Sequence, residues 1–164
     1  MFLPDNDNQI LKLSNDFYEA YPNPPYTEIL EKRNRSYNCL LFQTHYDYFI
    51  CIPYRSNVNH RSAYRFRFSE RSRRMKSGLD YSKMVIIKNL SYLDNTKSAT
   101  IDQDEFNETM RNLNRIKSES LQFLEDYIKY KKGELILHSG EYRRRYEYST
   151  LQYFHDILEI EENE

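Results

Sequence analysis

The chain has no tryptophan, and it carries only three glycines and two cysteines among 164 residues. Gly78, Gly133 and Gly140 lie too far apart to form a phosphate-cradling glycine loop, which excludes the common nucleotide-binding turns. No Gly-x-Ser-x-Gly elbow is present, so a hydrolase of that type is excluded. There is no His-x-x-x-His pair and no carboxylate cluster at ligand spacing, and the expectation is a protein without metal or cofactor. Cys39 and Cys51 lack metal-ligand spacing and read as reduced, small apolar residues that could face each other across a hairpin. No apolar run approaches membrane-spanning length, and Met1-Phe2-Leu3-Pro4-Asp5 does not resemble the start of a signal peptide. A cytoplasmic location is expected, with no membrane partner.

What the sequence does have is unevenly placed charge. Lys and Arg number 24 against 25 Asp and Glu, a formal net charge of −1. Positive charge nevertheless concentrates between Arg55 and Lys88, while Glu159 to Glu164 is an acidic tail. A charge run is more often a solvated face than a site, so the basic cluster needs support from its neighbours. Sixteen tyrosines supply stacking surfaces, although most tyrosines simply pack with a wet hydroxyl. The length fits one domain, residues 1–164, large enough to bury a core.

The pattern along the chain predicts an α+β fold, with mostly antiparallel strands first and helices packed on them later. Ile10–Leu13 reads as a first strand and Asp16–Tyr21 as a helical turn. Pro22-Asn23-Pro24-Pro25 forbids regular structure, and Thr27–Lys32 reads as a short helix. Tyr37–Gln43 and Tyr48–Ile52 form the best hairpin, apolar enough to be covered on both faces. Ala63–Phe68 alternates, with Tyr64, Phe66 and Phe68 on one side and Arg65 and Arg67 on the other. Ser69–Ser77 reads as a loop too charged to pack, and Met84–Ile87 as a central strand. Leu90–Leu93 and Ala99–Ile101 are candidate edge pieces. Asp102 and Glu105 form a capping signal for a long helix, near 103–132, ended by Gly133. A second helix is expected from Ser149. Strands of this kind suit a twisted sheet that curls toward a small barrel.

The residues that could carry chemistry gather around one strand exit. Pro53-Tyr54-Arg55-Ser56-Asn57-Val58-Asn59-His60 follows the buried strand, bringing a guanidinium, a hydroxyl and an imidazole together in sequence. Next comes a basic tract of Arg61, Arg65, Arg67, Arg71, Arg73, Arg74 and Lys76. A buried strand delivering polar groups to a basic surface suits a phosphate-rich polymer. RNA carries its own nucleophile, the ribose 2′-OH, so metal-free cleavage needs only proton transfer and stabilisation of charge on the phosphoryl group. In that chemistry the Ser56 hydroxyl would hold a phosphate oxygen or the 2′-OH. His60 would exchange protons near neutral pH, and Arg55 and Lys83 would offset developing charge. Tyr26 would orient a base or donate a hydrogen bond. Taken singly, a serine closing a strand or a histidine after one is more often structural. The same arginines would also serve a non-catalytic RNA-binding protein. A third reading is a protein-interaction module docking a partner through the tail and long helix.

These segments, in this order, resemble the ToxN/AbiQ toxins of bacterial type III toxin–antitoxin systems, and more closely their TenpN-like branch. Pro25-Tyr26 resembles the family's Pro-x-Tyr region, and the hairpin resembles the strands before its motif. Pro53 to His60 is similar to the Pro-x-Thr/Arg-Ser motif in its Ser-x-Val/Ile-x-His form. Gly78-Leu79-Asp80-Tyr81-Ser82-Lys83 resembles the Gly-Leu-x-x-x-Lys strand entry. Arg55 stands where many members have threonine, and Val58-Asn59-His60 replaces a lysine-rich stretch. The resemblance implies a metal-independent endoribonuclease with a twisted, partly closed antiparallel sheet. It implies cutting that leaves a 2′,3′-cyclic phosphate and a 5′-OH, with Ser56, His60, Arg55, Lys83 and Tyr26 at the site. It further implies inhibition by an antitoxin RNA of pseudoknot repeats, a closed toxin–RNA assembly, and an anti-phage, abortive-infection role. Substrate and antitoxin RNA would then compete for the basic Arg61–Lys76 groove.

Overall fold

A computed structural model of the chain describes residues 8–31, 37–94 and 99–162. Met1–Asp5, Lys32 at the end of the expected Thr27–Lys32 helix, and the last two residues of the acidic tail lie outside these described residues. The architecture is α+β, built on a seven-stranded antiparallel sheet. Its centre is the expected hairpin: β2 (Asn38–Gln43) and β3 (Phe49–Arg55), with Leu40 opposite Ile52 and Leu41 opposite Cys51. Thr44 sets the turn, its Oγ1 accepting from Tyr46 N at 3.0 Å and donating to Tyr48 O at 2.8 Å. Leu40, Leu41, Ile50, Cys51 and Ile52 are fully buried, as near-continuous apolar runs require when both faces are covered. Cys39 lies opposite Pro53, so the two free cysteines are diagonal neighbours rather than a facing pair.

On one side β1 (Asn8–Leu13) pairs with β2, and the short β7 (Leu93–Asp94) pairs with β1. On the other side β3 is shared. Its first half pairs with β6 (Val85–Ile87) and its end with β5 (Gly78–Asp80). Between them Tyr81–Lys83 makes a 3-10 turn capped by Asp80. Among the described residues β6 therefore has one strand neighbour, although all three of its residues are buried. The outer strand β4 (Ala63–Arg65) pairs with β5, and the sheet stays open, since β4 and β7 end the strand order.

Several sequence expectations change for local physical reasons. β4 stops at Arg65 because Phe66 N turns to Ser77 O, and the amides of Arg67 and Phe68 point at the Glu108 carboxylate. Phe68 is consequently 63% exposed rather than part of the apolar face. The charged stretch after it is not a loop. It forms α2 (Glu70–Met75), capped by Ser69 and ended by Lys76 in the left-handed region. Residues 27–29 form turns rather than the start of a helix, and Ala99–Ile101 is not a strand.

The long helix is two helices, α3 (Gln103–Arg111) and α4 (Leu113–Lys131), followed by Gly133 at a φ of 78°. The break falls at Asn112, whose side chain donates to Glu108 O at 2.9 Å and competes with the helical ladder. α4 packs Ile116, Phe123, Leu124 and Tyr127 into the core, but α3 turns Glu105, Glu108 and Thr109 inward and leaves Phe106 exposed. A helix not expected from the sequence, α5 (Ser139–Tyr146), follows, and Tyr146 bonds Phe123 O. Ser149 does cap a helical segment, but it is the 3-10 turn Thr150–Tyr153, and Thr150 Oγ1 bonds Met84 O. The short α1 (Asn15–Ala20) inserts Phe17 beneath Tyr92.

Candidate functional site

β3 runs out of ladder at Arg55, and consecutive side chains there leave on opposite sides. Asn57 adopts a φ of 59°, a conformation asparagine tolerates better than most residues, and turns the chain back. Its amide donates to Met75 O at 2.7 Å and that of Val58 to Lys76 O at 2.9 Å, which locks the strand exit to the end of α2.

Ser56 leaves on the α2 side. Arg71 Nη2 donates to Ser56 Oγ at 3.0 Å, and Arg71 Nη1 donates to Glu105 at 3.0 Å. Glu105, 1% exposed, also accepts from Ser69 Oγ at 3.1 Å and Ser77 Oγ at 2.6 Å. Three neutral or charged donors thus hold this buried carboxylate, and through it they fix the guanidinium that meets the serine. The hydroxyl opens on a cleft of about 460 Å³ whose lining includes Lys12, Tyr37, Asn38 and Arg71. With one lone pair taken by Arg71, the Ser56 O–H proton is available to a phosphate oxygen in that cleft.

Arg55 and His60 leave on the other side and meet at Asp80, which has no exposed side-chain surface. Arg55 Nη1 donates to its carboxylate at 3.0 Å, Ser82 donates through N at 3.0 Å and Oγ at 2.6 Å, and His60 Nε2 lies 3.2 Å away. Ser62 N donates to His60 Nδ1 at 3.1 Å, which leaves the ring proton on Nε2 and pointed at Asp80. Burial pushes the Asp80 carboxyl up, but the hydrogen bonds from His60 and Ser82, with the Arg55 charge, outweigh it and hold the group below its ordinary value. His60 fronts a large groove of about 1050 Å³, together with Arg61, Arg115, Arg144 and Arg145.

The remaining expected site residues form a third group. Lys83 Nζ donates to Glu28 at 2.7 Å and to Tyr148 O at 2.6 Å. Tyr26 packs edge-on against Tyr21 and Tyr153, and Tyr153 Oη accepts from Glu28 N. Among the described residues no hydrogen bond or ion pair joins this group to Ser56 or His60.

Of the basic tract, Arg61, Arg65, Arg67 and Lys76 line one groove with Tyr64 and Arg115, whereas Arg71 belongs to the Ser56 cleft. Arg73 and Arg74 are exposed on α2 and line neither. The residues missed from sequence are the buried acids Asp80, Glu105 and Glu108, and the cations Lys12, Arg115, Arg144 and Arg145. Glu105 showed only as part of a helix cap, and only the Arg143-Arg144-Arg145 run signalled a basic surface. Among the described residues no three His, Cys, Asp or Glu side chains are grouped as metal ligands, and no helix is long and apolar enough to cross a membrane. No family model, curated protein or solved structure matches the chain.

Proposed function

We propose that the protein is a metal-independent endoribonuclease, acting as the toxin of a type III toxin–antitoxin system in the cytoplasm. The observation that carries this reading is the 3.0 Å bond from Arg71 to Ser56 Oγ at the head of a cleft, beside a groove walled by arginines. A phosphate oxygen in the cleft would take one hydrogen bond from the Ser56 hydroxyl and positive potential from Arg71 and Lys12. The ribose 2′-oxygen attacks phosphorus and the bond to O5′ breaks, with solvent water taking the 2′-proton and returning one to the O5′ leaving oxygen. A 2′,3′-cyclic phosphate and a 5′-OH result. In this reading Arg55 and His60, braced on Asp80 on the opposite face of the strand exit, hold that exit and so position Ser56, and Lys83 and Tyr26 brace the segment that supports it. The ordered resemblance to ToxN/AbiQ toxins supports an antitoxin RNA of pseudoknot repeats as inhibitor, in a toxin–RNA assembly, with phage defence as the role.

The test is incubation of purified protein with total RNA in EDTA, followed by analysis of fragment ends. Cyclic-phosphate and 5′-OH ends are expected, and intact RNA would overturn the reading. A second reading, a non-catalytic RNA-binding protein, is favoured by one feature. Glu105 already counters the Arg71 charge, and both His60 nitrogens are already engaged. It predicts salt-dependent binding with no new ends.

A further inference from the structure

The helix α2 is a partition. Arg71 and Met75, one turn apart, line the Ser56 cleft, while Ser72 and Lys76, also one turn apart, line the groove beside β4. That groove, about 500 Å³, continues into the larger one of about 1050 Å³, since Arg61, Ala63 and Arg115 line both. The combined channel follows β4, whose outer edge has no strand partner among the described residues, and ends at α5.

Glu119 and Glu141 are the acids in its lining, and most of its cations are unmatched. Arg115 is held by Glu119 at 3.0 Å and Arg145 by Asp126 at 2.8 Å. Among the described residues, the side chains of Arg61, Arg65, Arg67 and Arg144 have no acidic partner at ion-pair distance. The aromatic residues of the lining, Tyr64, Phe66, Tyr81 and Phe123, are all buried, so the channel offers guanidinium groups but no open ring faces. Recognition of bases in single strands relies on stacking platforms, and a channel without them contacts phosphates.

We infer that this channel is a second RNA-binding surface, separated by α2 from the Ser56 cleft, that follows the phosphate backbone without reading the bases. The inference rests on the endoribonuclease reading only for the kind of polymer. It makes the cleft and the channel two distinct sites instead of one contested groove. It also leaves sequence selectivity to the Ser56 cleft.

The test uses the full chain and a fluorescent twelve-nucleotide RNA with 2′-O-methyl groups, which cannot be cut by 2′-OH attack. Anisotropy titrations across a range of salt concentrations compare wild type with R61A/R144A and with K129A/K132A, an exposed pair away from the channel. R61A/R144A should bind about tenfold more weakly, with the salt slope reduced by roughly 1.4, or about 0.7 per lost phosphate contact. K129A/K132A should stay within about twofold of wild type, and two unrelated sequences should bind wild type alike. The exposed arginines leave the thermal midpoint unchanged. No binding by wild type, equal losses in both pairs, or an undiminished R61A/R144A would overturn the inference. Because this RNA cannot be cleaved, the result is independent of whether Ser56 supports cutting.

Discussion

Ser56 Oγ and Arg71 Nη2 meet at 3.0 Å, so the one hydroxyl at the exit of β3 is fixed by a charged donor that itself rests on buried Glu105. This is a preorganised arrangement: three side chains, one just past β3, one on α2 and one on α3, converge before any ligand is present. Such donors matter most when they are already aimed, because no reorganisation is then needed as charge develops.

Ser56→Ala removes the hydroxyl and one acceptor for Arg71, but no buried apolar surface. RNA cutting should fall by about 100-fold or more, a loss in the range seen for a single oxyanion donor. Unfolding free energy should change by no more than about 1 kcal/mol, because Arg71 keeps Glu105 and the site is partly open to water. Fragment-end analysis and urea titration measure the two quantities separately. Undiminished cutting would remove Ser56 from the mechanism.

Asp80→Asn tests the other side of the strand. The buried carboxylate holds Arg55, His60 and Ser82, and losing its charge should cost about 3 kcal/mol at pH 7. Its carboxyl lies below the ordinary 3.8 in the folded protein. Just below pH 3.8 the unfolded chain therefore binds the extra proton, and acidification favours unfolding. The stabilisation is complete above pH 3.8 and is lost as pH falls toward the lowered value. Urea midpoints for wild type and variant should accordingly differ most near neutrality and converge on acidification below that point. A gap that widens with acid would contradict the assignment.

The hairpin and the basic tract were legible because their signals are local: apolar runs, turn residues and a charge count. What could not be read was the partnership of acids and bases distant in sequence. Glu105 looked like part of a helix cap, yet it closes on Arg71, Ser69 and Ser77. Glu108 carried no signal of its own, yet it takes the Tyr64 hydroxyl and the amides of Arg67 and Phe68. Within Ser69–Ser77 these carboxylates offset only Arg71, through Glu105, which also accepts from Ser69 and Ser77, while Arg73, Arg74 and Lys76 stay at the surface and the stretch folds as α2. The proximity of Arg55, Ser56 and His60 in sequence was equally misleading. Alternation at a strand end sends neighbours to opposite faces, which divides the expected site in two.

Cys39 and Cys51 should be inert in the folded protein. Both are buried, and burial, together with the contact with Cys39, pushes the Cys51 thiol well above its ordinary value. Thiol titration with a disulfide reagent at pH 8 should detect neither residue in native protein and both after denaturation. Rapid labelling of folded protein would show that the β2–β3 hairpin opens.

Gly78 is where β5 passes closest to β4. A Cβ built there would lie 2.5 Å from Tyr64 O and 3.2 Å from Arg65 Cα, and both obstacles are backbone. Neither can rotate away, so Gly78→Ala must push β4 off β5 or shift β5 along β3, where Gly78 pairs with Arg55. The cost should be about 1–3 kcal/mol, as for other overpacked positions. The displacement has a second consequence. β4 carries Arg65 into the channel, and Gly78 pairs with Arg55, the residue directly before Ser56, so both binding surfaces lose registration at once. Gly78→Ala should therefore weaken binding of the uncleavable RNA and slow RNA cutting together, while Gly140→Ala, where the nearest atom is the flexible end of Arg144 at 3.8 Å, should leave stability within about 0.5 kcal/mol of wild type. Hydrogen exchange localises the effect: the Tyr64 and Leu79 amides should lose protection in Gly78→Ala, and those of β1 and β2 should keep it. Uniform loss across the sheet would mean that β4 and β5 are not the strands that yield.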